Sequence, residues 1–152
     1  MRFTAYEQLP QEARALREEV FCREQGFQEE FDETDRTAYH GLLWDDGGQP
    51  VGVCRFFLGP KPGTWILGRV AVKKALRKTG VGSELIRGME EAVRKLGGRE
   101  IQLHAQVRAR HFYETLGYQA YGPEEPEEPE EGVLHQWMKK KLEMENKKIP
   151  SF

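Results

Sequence analysis

The chain has little of what marks a secreted, membrane-spanning or metal-binding protein. Only two of its 152 residues are cysteine, Cys22 and Cys54, too few for a disulfide framework in a domain of this size, so both read as free thiols. No apolar run reaches the ~18 residues that a bilayer crossing needs, and Met1-Arg2-Phe3 opens no leader, so the expected location is the cytoplasm. A surplus of one charge is missing as well. With 23 basic and 25 acidic residues the net charge is −2, and a nucleic-acid binder would show a basic excess. The histidines and cysteines lack the close paired spacing of zinc ligands, so no metal site is expected. There is no P-loop, and a dinucleotide fingerprint would need a small residue where Leu85 stands.

What is present is one domain's worth of chain, 38% hydrophobic, able to bury a single core. Its most informative stretch is 70–83, where the apolar run Val70-Ala71-Val72 passes through a basic, glycine-containing turn into a long amphipathic helix. Gly80 and Gly82 let the backbone turn tightly and present amides, and a helix starting near Ser83 adds the positive end of its dipole. Lys73, Lys74, Arg77 and Lys78 surround this cradle with charges suited to phosphate. By itself Arg-x-x-Gly-x-Gly is a weak motif, equally an ordinary loop entering a surface helix.

Around that stretch the periodicities predict a strand at 2–6 and a helix over 11–23 with Ala13, Leu16, Val20 and Phe21 on one buried stripe. Residues 27–37 form a loop with five carboxylates, Glu29, Glu30, Asp32, Glu33 and Asp35, either a solvated acidic surface or a lure for a cationic amine. Strands at 39–44, 51–58 and 65–72 form a meander, the first pair joined at Asp45-Asp46-Gly47-Gly48. Leu85, Ile86, Met89, Ala92, Val93 and Leu96 mark the long helix, stopped by Gly97-Gly98. The strand at 101–105 must then run parallel to 65–72, because a helix connects them. A short helix at 108–116, a strand at 118–121 and a last strand at 133–142 follow, with Leu134, Gln136 and Met138 on one face of that strand and His135, Trp137 and Lys139 on the other. The tandem Pro-Glu-Glu repeat between Gly122 and Gly132 is expected to be a loop, since prolines and like charges disfavour helix and sheet. The domain therefore spans 1–142, with an acidic loop at 123–132 and a polar tail at 143–152.

The run from Leu67 to Ser83, followed by Gln106-x-x-Ala109-x-x-Phe112-Tyr113-Glu114-x-Leu116-Gly117-Tyr118, closely resembles the GNAT N-acetyltransferases over nearly the whole chain. Val20-Phe21-x-x-Glu24-Gln25, Glu33-x-Asp35, His40, His104-Ala105-Gln106 and Leu134-His135-x-x-Met138 are most like the ElaA/YjcF-type small bacterial members. The resemblance implies a mixed α/β (α+β) fold: a mostly antiparallel sheet of six or seven strands flanked by helices, with a parallel pair splayed around acetyl-CoA. It places the pyrophosphate on Arg77, Lys78, Thr79, Gly80, Val81, Gly82 and Ser83, and the pantetheine arm along Val70, Ala71 and Val72. Phe112 and Gln106, which replaces the more frequent Asn, join the cofactor contacts.

Transfer of an acetyl group to an amine requires the amine to be neutral, and deprotonating an alkylammonium near pH 7 costs roughly 4 kcal/mol. Glu24, Glu33, His40, His104 and His135 are the candidate bases, each with a plain packing or surface role as its alternative. The resemblance gives Tyr113 the role of acid toward the leaving thiolate, against a core aromatic beside Phe112 and Leu116. The expected catalytic set is thus Tyr113, Glu24 and His104, with Glu33, Asp35, His40 and His135 facing the acceptor. The implied function is direct acetyl transfer from acetyl-CoA to a primary amine of a small cationic metabolite, with neither nucleic acid nor membrane as a partner. The alternatives are a protein lysine or N-terminal acetyltransferase, and a catalytically silent acyl-CoA-binding module. The last strand and the Pro-Glu segment could mediate a homodimer.

Overall fold

The computed structural model describes residues 1–26, 31–127 and 130–143. Seven strands form one sheet in the order β1-β2-β3-β4-β5-β7-β6: β1 (Arg2–Tyr6), β2 (Tyr39–Trp44), β3 (Pro50–Leu58), β4 (Thr64–Val72), β5 (Glu100–Gln106), β6 (Gln119–Glu127) and β7 (Glu130–Lys141). All neighbours are antiparallel except β4 and β5. Helix α2 (Val81–Lys95) makes the crossover between those two, as a parallel pair demands.

The amphipathic face of α2 drives that packing. Val81, Leu85, Ile86, Met89 and Val93 are buried against strand residues such as Phe56, Leu67, Ile101 and Leu103. The helix ends in a Schellman turn: Gly98 N–H donates to the Val93 carbonyl at 2.8 Å and Gly97 N–H to that of Arg94 at 3.0 Å, with Gly97 at φ +86°. On the opposite face, helix α1 (Gln11–Arg17) buries Ala13 and Leu16 against Leu42, Val53 and Ala71.

Two elements differ from the sequence expectation. The first helix does not stay α-helical to residue 23. From Glu18 to Glu24 it is wound as a π-helix, which buries Val20 and Phe21 and ends with Gln25 N–H donating to the Val20 carbonyl. The Pro-Glu segment, expected as a loop, extends β6 to Glu127, with Glu125 opposite His135 and Pro126 opposite Leu134 after a bulge. Proline is tolerated there because β6 is an edge strand, whose outward N–H groups need no ladder partner. Among the described residues the last strand, β7, is paired to β5 on one side and β6 on the other. Phe27, Gln28, Glu29, Glu30, Glu128, Pro129 and the tail at 144–152 lie outside the described residues. Within the described residues no helix is long and apolar enough to cross a membrane.

Candidate active site

The parallel pair β4/β5 is in register only from Thr64/Glu100 to Leu67/Leu103. Beyond Leu67 the two strands part. On its other side β4 carries a bulge: Val53 faces Ala71 but Arg55 faces Gly68, so Arg69 and Val70 together oppose the single Cys54, and Arg69 sits at φ +49°. The β4 backbone past Leu67 therefore has no β5 partner. The resulting cleft holds about 290 Å³ and is lined by Phe21 and Gln25, by β4 from Ile66 to Val70, by β5 from Leu103 to Gln106, and by Arg55, Tyr113, His135 and Trp137.

At the mouth of the split stands the N-terminus of α2. Gly80 caps it at φ +91° with open space where a Cβ would be, and Lys78 precedes it at φ +63°. The two glycines do different work. Gly80 supplies the left-handed backbone, whereas Gly82 makes room for an aromatic ring, since a Cβ there would lie 3.2 Å from Phe112 Cζ. The first amides of α2 have no acceptor within the helix, and Lys74, Arg77 and Lys78 are exposed around them. The Thr79 hydroxyl donates to the Leu76 carbonyl and pins the loop.

Arg77 is already engaged. Its Nε donates to the Val72 carbonyl at 3.2 Å, and its Nη2 donates to Glu24 Oε1 at 2.7 Å in a two-pronged ion pair with that carboxylate. Hydrogen bonding to Arg77 holds the Glu24 carboxyl below the usual carboxylate range, which weakens it as a proton acceptor. The π-wound turn delivers Glu24 to this contact.

The acceptor end differs from the expectation: of Glu33, Asp35, His40 and His135, only His135 lines the cleft. Asp35 does not face an acceptor: it is 8% exposed and receives both Nη groups of the fully buried Arg17, at 2.7 and 3.1 Å, and Arg55 Nη1 at 3.2 Å. Burial alone would raise its carboxyl, but Arg17, the Asp32 amide and Arg55 outweigh it and bring it to about 2. Glu33 is exposed and pairs with Arg36 at 3.2 Å. Asp32 completes the cluster, holding Arg55 through both oxygens at 2.6 and 3.1 Å and meeting Arg69 at 3.4 Å. His40 is also absent from the cleft lining. It is fully buried with Nε2 2.9 Å from the Asp35 carbonyl, and burial lowers its pKa, so it is a neutral packing residue.

His104 and His135, in contrast, do line the cleft. Their rings are 5.1 Å apart, His104 stacks on Trp137 at 4.8 Å, and its Nε2 lies 3.6 Å from Glu125 of the Pro-Glu segment. Tyr113, on helix α3 (Arg110–Thr115), reaches the same cleft from below, packed edge-on against Phe112 and Tyr118. Burial keeps its phenol protonated far above neutral pH. Gln106 ends β5 and accepts from Arg108 Nε at 2.6 Å.

Residues to which the sequence reading gave no site role are Arg17, Arg55, Arg69 and Trp137. A signal existed for two of them. Arg17 falls within the stripe of Ala13, Leu16 and Val20, and Arg55 interrupts the apolar run of β3; a charge at a buried period needs a partner.

Comparison with known proteins agrees with this geometry. The acetyltransferase (GNAT) family model matches residues 6–118. The chain is 36% identical over 127 residues to YjcF of Bacillus subtilis, described as an uncharacterised N-acetyltransferase, covering 82% of this chain and 87% of that one. An acyl-CoA N-acyltransferase from Pseudomonas aeruginosa superposes with a TM-score of 0.74 at 27% identity, covering 92% of this chain and 99% of that one. Escherichia coli ElaA shares the fold with a TM-score of 0.77 at 23% identity, covering 91% of this chain and 98% of that one.

Proposed function

Because the chain belongs to the acetyltransferase (GNAT) family and is an acyltransferase, we propose that it moves the acetyl group of acetyl-CoA directly to the primary amine of a small metabolite. The observation that carries this reading is the bulged β4 parting from β5 in front of the α2 N-terminus. That arrangement puts unpartnered strand amides at one end of a cleft and an anion-binding helix end at the other.

The site's residues fit coenzyme A. The amides of Val81, Gly82 and Ser83, with Lys74 and Lys78, suit the pyrophosphate. The exposed edge of Val70, Ala71 and Val72 suits the amide-bearing arm, and Phe112 closes over Gly82. When bound, acetyl-CoA supplies the activated thioester. The β4 amides donate to the oxygen on which charge builds. His104 accepts the proton that the ammonium must lose, directly or through water, while His135 and Trp137 hold its ring in place. As the new C–N bond forms and the C–S bond breaks, Tyr113 gives its proton to the departing sulfur and regains, through solvent, the second proton that the nitrogen sheds. Glu24 has a different task from the one its motif implied: it fixes Arg77 against the strand end.

A small acceptor fits the cleft, because about 290 Å³ is at the lower end of ligand pockets and must also admit the thioester. The location we favour is the cytoplasm. The test is release of free coenzyme A from acetyl-CoA across a panel of small amines and a lysine peptide. Thiol release with the small amines supports the reading. Release only with the peptide favours a protein acetyltransferase, and coenzyme A binding without release from any amine leaves a silent binding module.

A further inference from the structure

Resting on the acyltransfer reading above, we propose that the acceptor carries a carboxylate as well as its amine, and that Arg55 Nε–H, reached past Gly68, is the donor that holds it. The acceptor end of the cleft presents guanidinium and imidazole groups, Arg55, Arg69, His104 and His135, and none of the described lining residues is acidic. A site shaped for a purely cationic amine would show the reverse.

Arg55 is the informative member. It is 7% exposed, its Nη1 and Nη2 are held by Asp32 and Asp35, and its Nε–H has no hydrogen-bond partner. A buried donor on a charged group that stays unpaired is costly, and such groups are rare enough in folded proteins to require an explanation. Gly68 supplies one. It faces Arg55 across the β3/β4 pair, both residues line the cleft, and a Cβ at Gly68 would sit 3.6 Å from Nε. With no side chain there, a methyl-sized space adjoins the buried N–H, and a ligand oxygen entering past Gly68 would fill it. The two aspartates fix the guanidinium in advance, so little rotamer freedom is lost when an oxygen arrives.

The class of ligand follows from the donor. A charge-assisted N–H prefers an ionised oxygen to a neutral one. One open N–H serves one oxygen, which suits a carboxylate better than a phosphate with its three strong acceptor oxygens. With the small cleft volume, the acceptor is of amino-acid size.

The decisive experiment titrates the full-length 15N-labelled protein, saturated with coenzyme A, and follows the Arg55 Nε–H resonance. The probes are N-acetylglycine, its uncharged isostere N-acetylglycinamide, and N-acetyl-O-phosphoethanolamine. N-Acetylglycine is expected to give a saturable shift and to bind about tenfold more tightly than the amide, as a charged acceptor on a guanidinium donor should. Arg55→Gln also breaks the pairs with Asp32 and Asp35 and risks unfolding, so Gly68→Ala is the variant of choice: its methyl shields Nε without touching the ion pairs, and weaker N-acetylglycine binding with an unchanged melting temperature supports the assignment. Equal binding of the amide, tighter binding of the phosphate, no saturable shift, or an unaffected Gly68→Ala variant overturns it. Thiol release with glycine against glycinamide separates the two claims. Preference for glycinamide discards the carboxylate while acyltransfer stands; carboxylate binding without thiol release from any amine discards acyltransfer while the anion site stands.

Discussion

Asp35→Asn tests the idea that the acceptor wall is held by charge packed inside the fold. Asp35 joins α1 to β3 through Arg17 and Arg55, so losing its charge removes an ion pair from the fully buried Arg17. Breaking one partner of a buried pair costs about 3–5 kcal/mol. The titration supplies a second figure: a carboxyl brought from 3.8 to about 2 is favoured in its ionised form by about 2.5 kcal/mol, at about 1.4 kcal/mol per tenfold. Because the folded value is depressed, this stability is present above the unfolded pKa and lost as pH falls from about 4 toward 2. Urea unfolding of wild type and variant in parallel cancels the other carboxylates. The gap between them should be near its full size at pH 7 and shrink by about 1 kcal/mol at pH 3 and about 2 kcal/mol at pH 2. A gap below about 1 kcal/mol at pH 7, or one constant with pH, would show that Asp35 is solvated and that the wall is held by something else.

Tyr113→Phe should lower kcat by about 10²-fold or more, the usual scale for a lost general acid, with the coenzyme A Kd unchanged by calorimetry; wild-type turnover in the variant would remove the acid role. Gly98→Ala should destabilise the protein by about 1–3 kcal/mol or prevent folding, because the new methyl would collide with Val93 Cγ1 and come within 2.6 Å of Trp65 Cδ1. A thermal melt matching wild type would contradict that packing. Cys54 is fully buried, and burial pushes its thiol up to about 12. In the native protein at pH 8 an aromatic disulfide reagent should therefore label Cys22 alone, and Cys54 only after denaturation; two native thiols reacting at similar rates would disprove it.

The strand order was largely legible because each strand has its own period and each turn its own residues. Asp45-Asp46-Gly47-Gly48 turns β2 into β3, and Gly97-Gly98 stops α2 as written. The glycine turn that opens α2 was legible for the same reason: it is local chemistry. What failed was long-range. Nothing near Asp35 announces Arg17, eighteen residues away, or Arg55, twenty residues on, so five acidic residues read as a surface when one of them is interior. The Pro-Glu segment misled in the opposite direction, since its composition argues against sheet and only its place at the edge of β7 makes pairing tolerable. Glu24 was noticed for its motif, but its partner Arg77 is fifty-three residues distant.

The π-wound turn at Glu18–Glu24 has a consequence for how this protein could be altered. Wider winding takes up one residue more than an α-turn of the same rise, so deleting a single residue there would let the helix close into ordinary α geometry at no loss of hydrogen bonds. Everything after the deletion would keep nearly its present direction, and Glu24 would still reach Arg77. A one-codon change would thus remove the wide turn while leaving both the sheet and the Glu24–Arg77 tie in place.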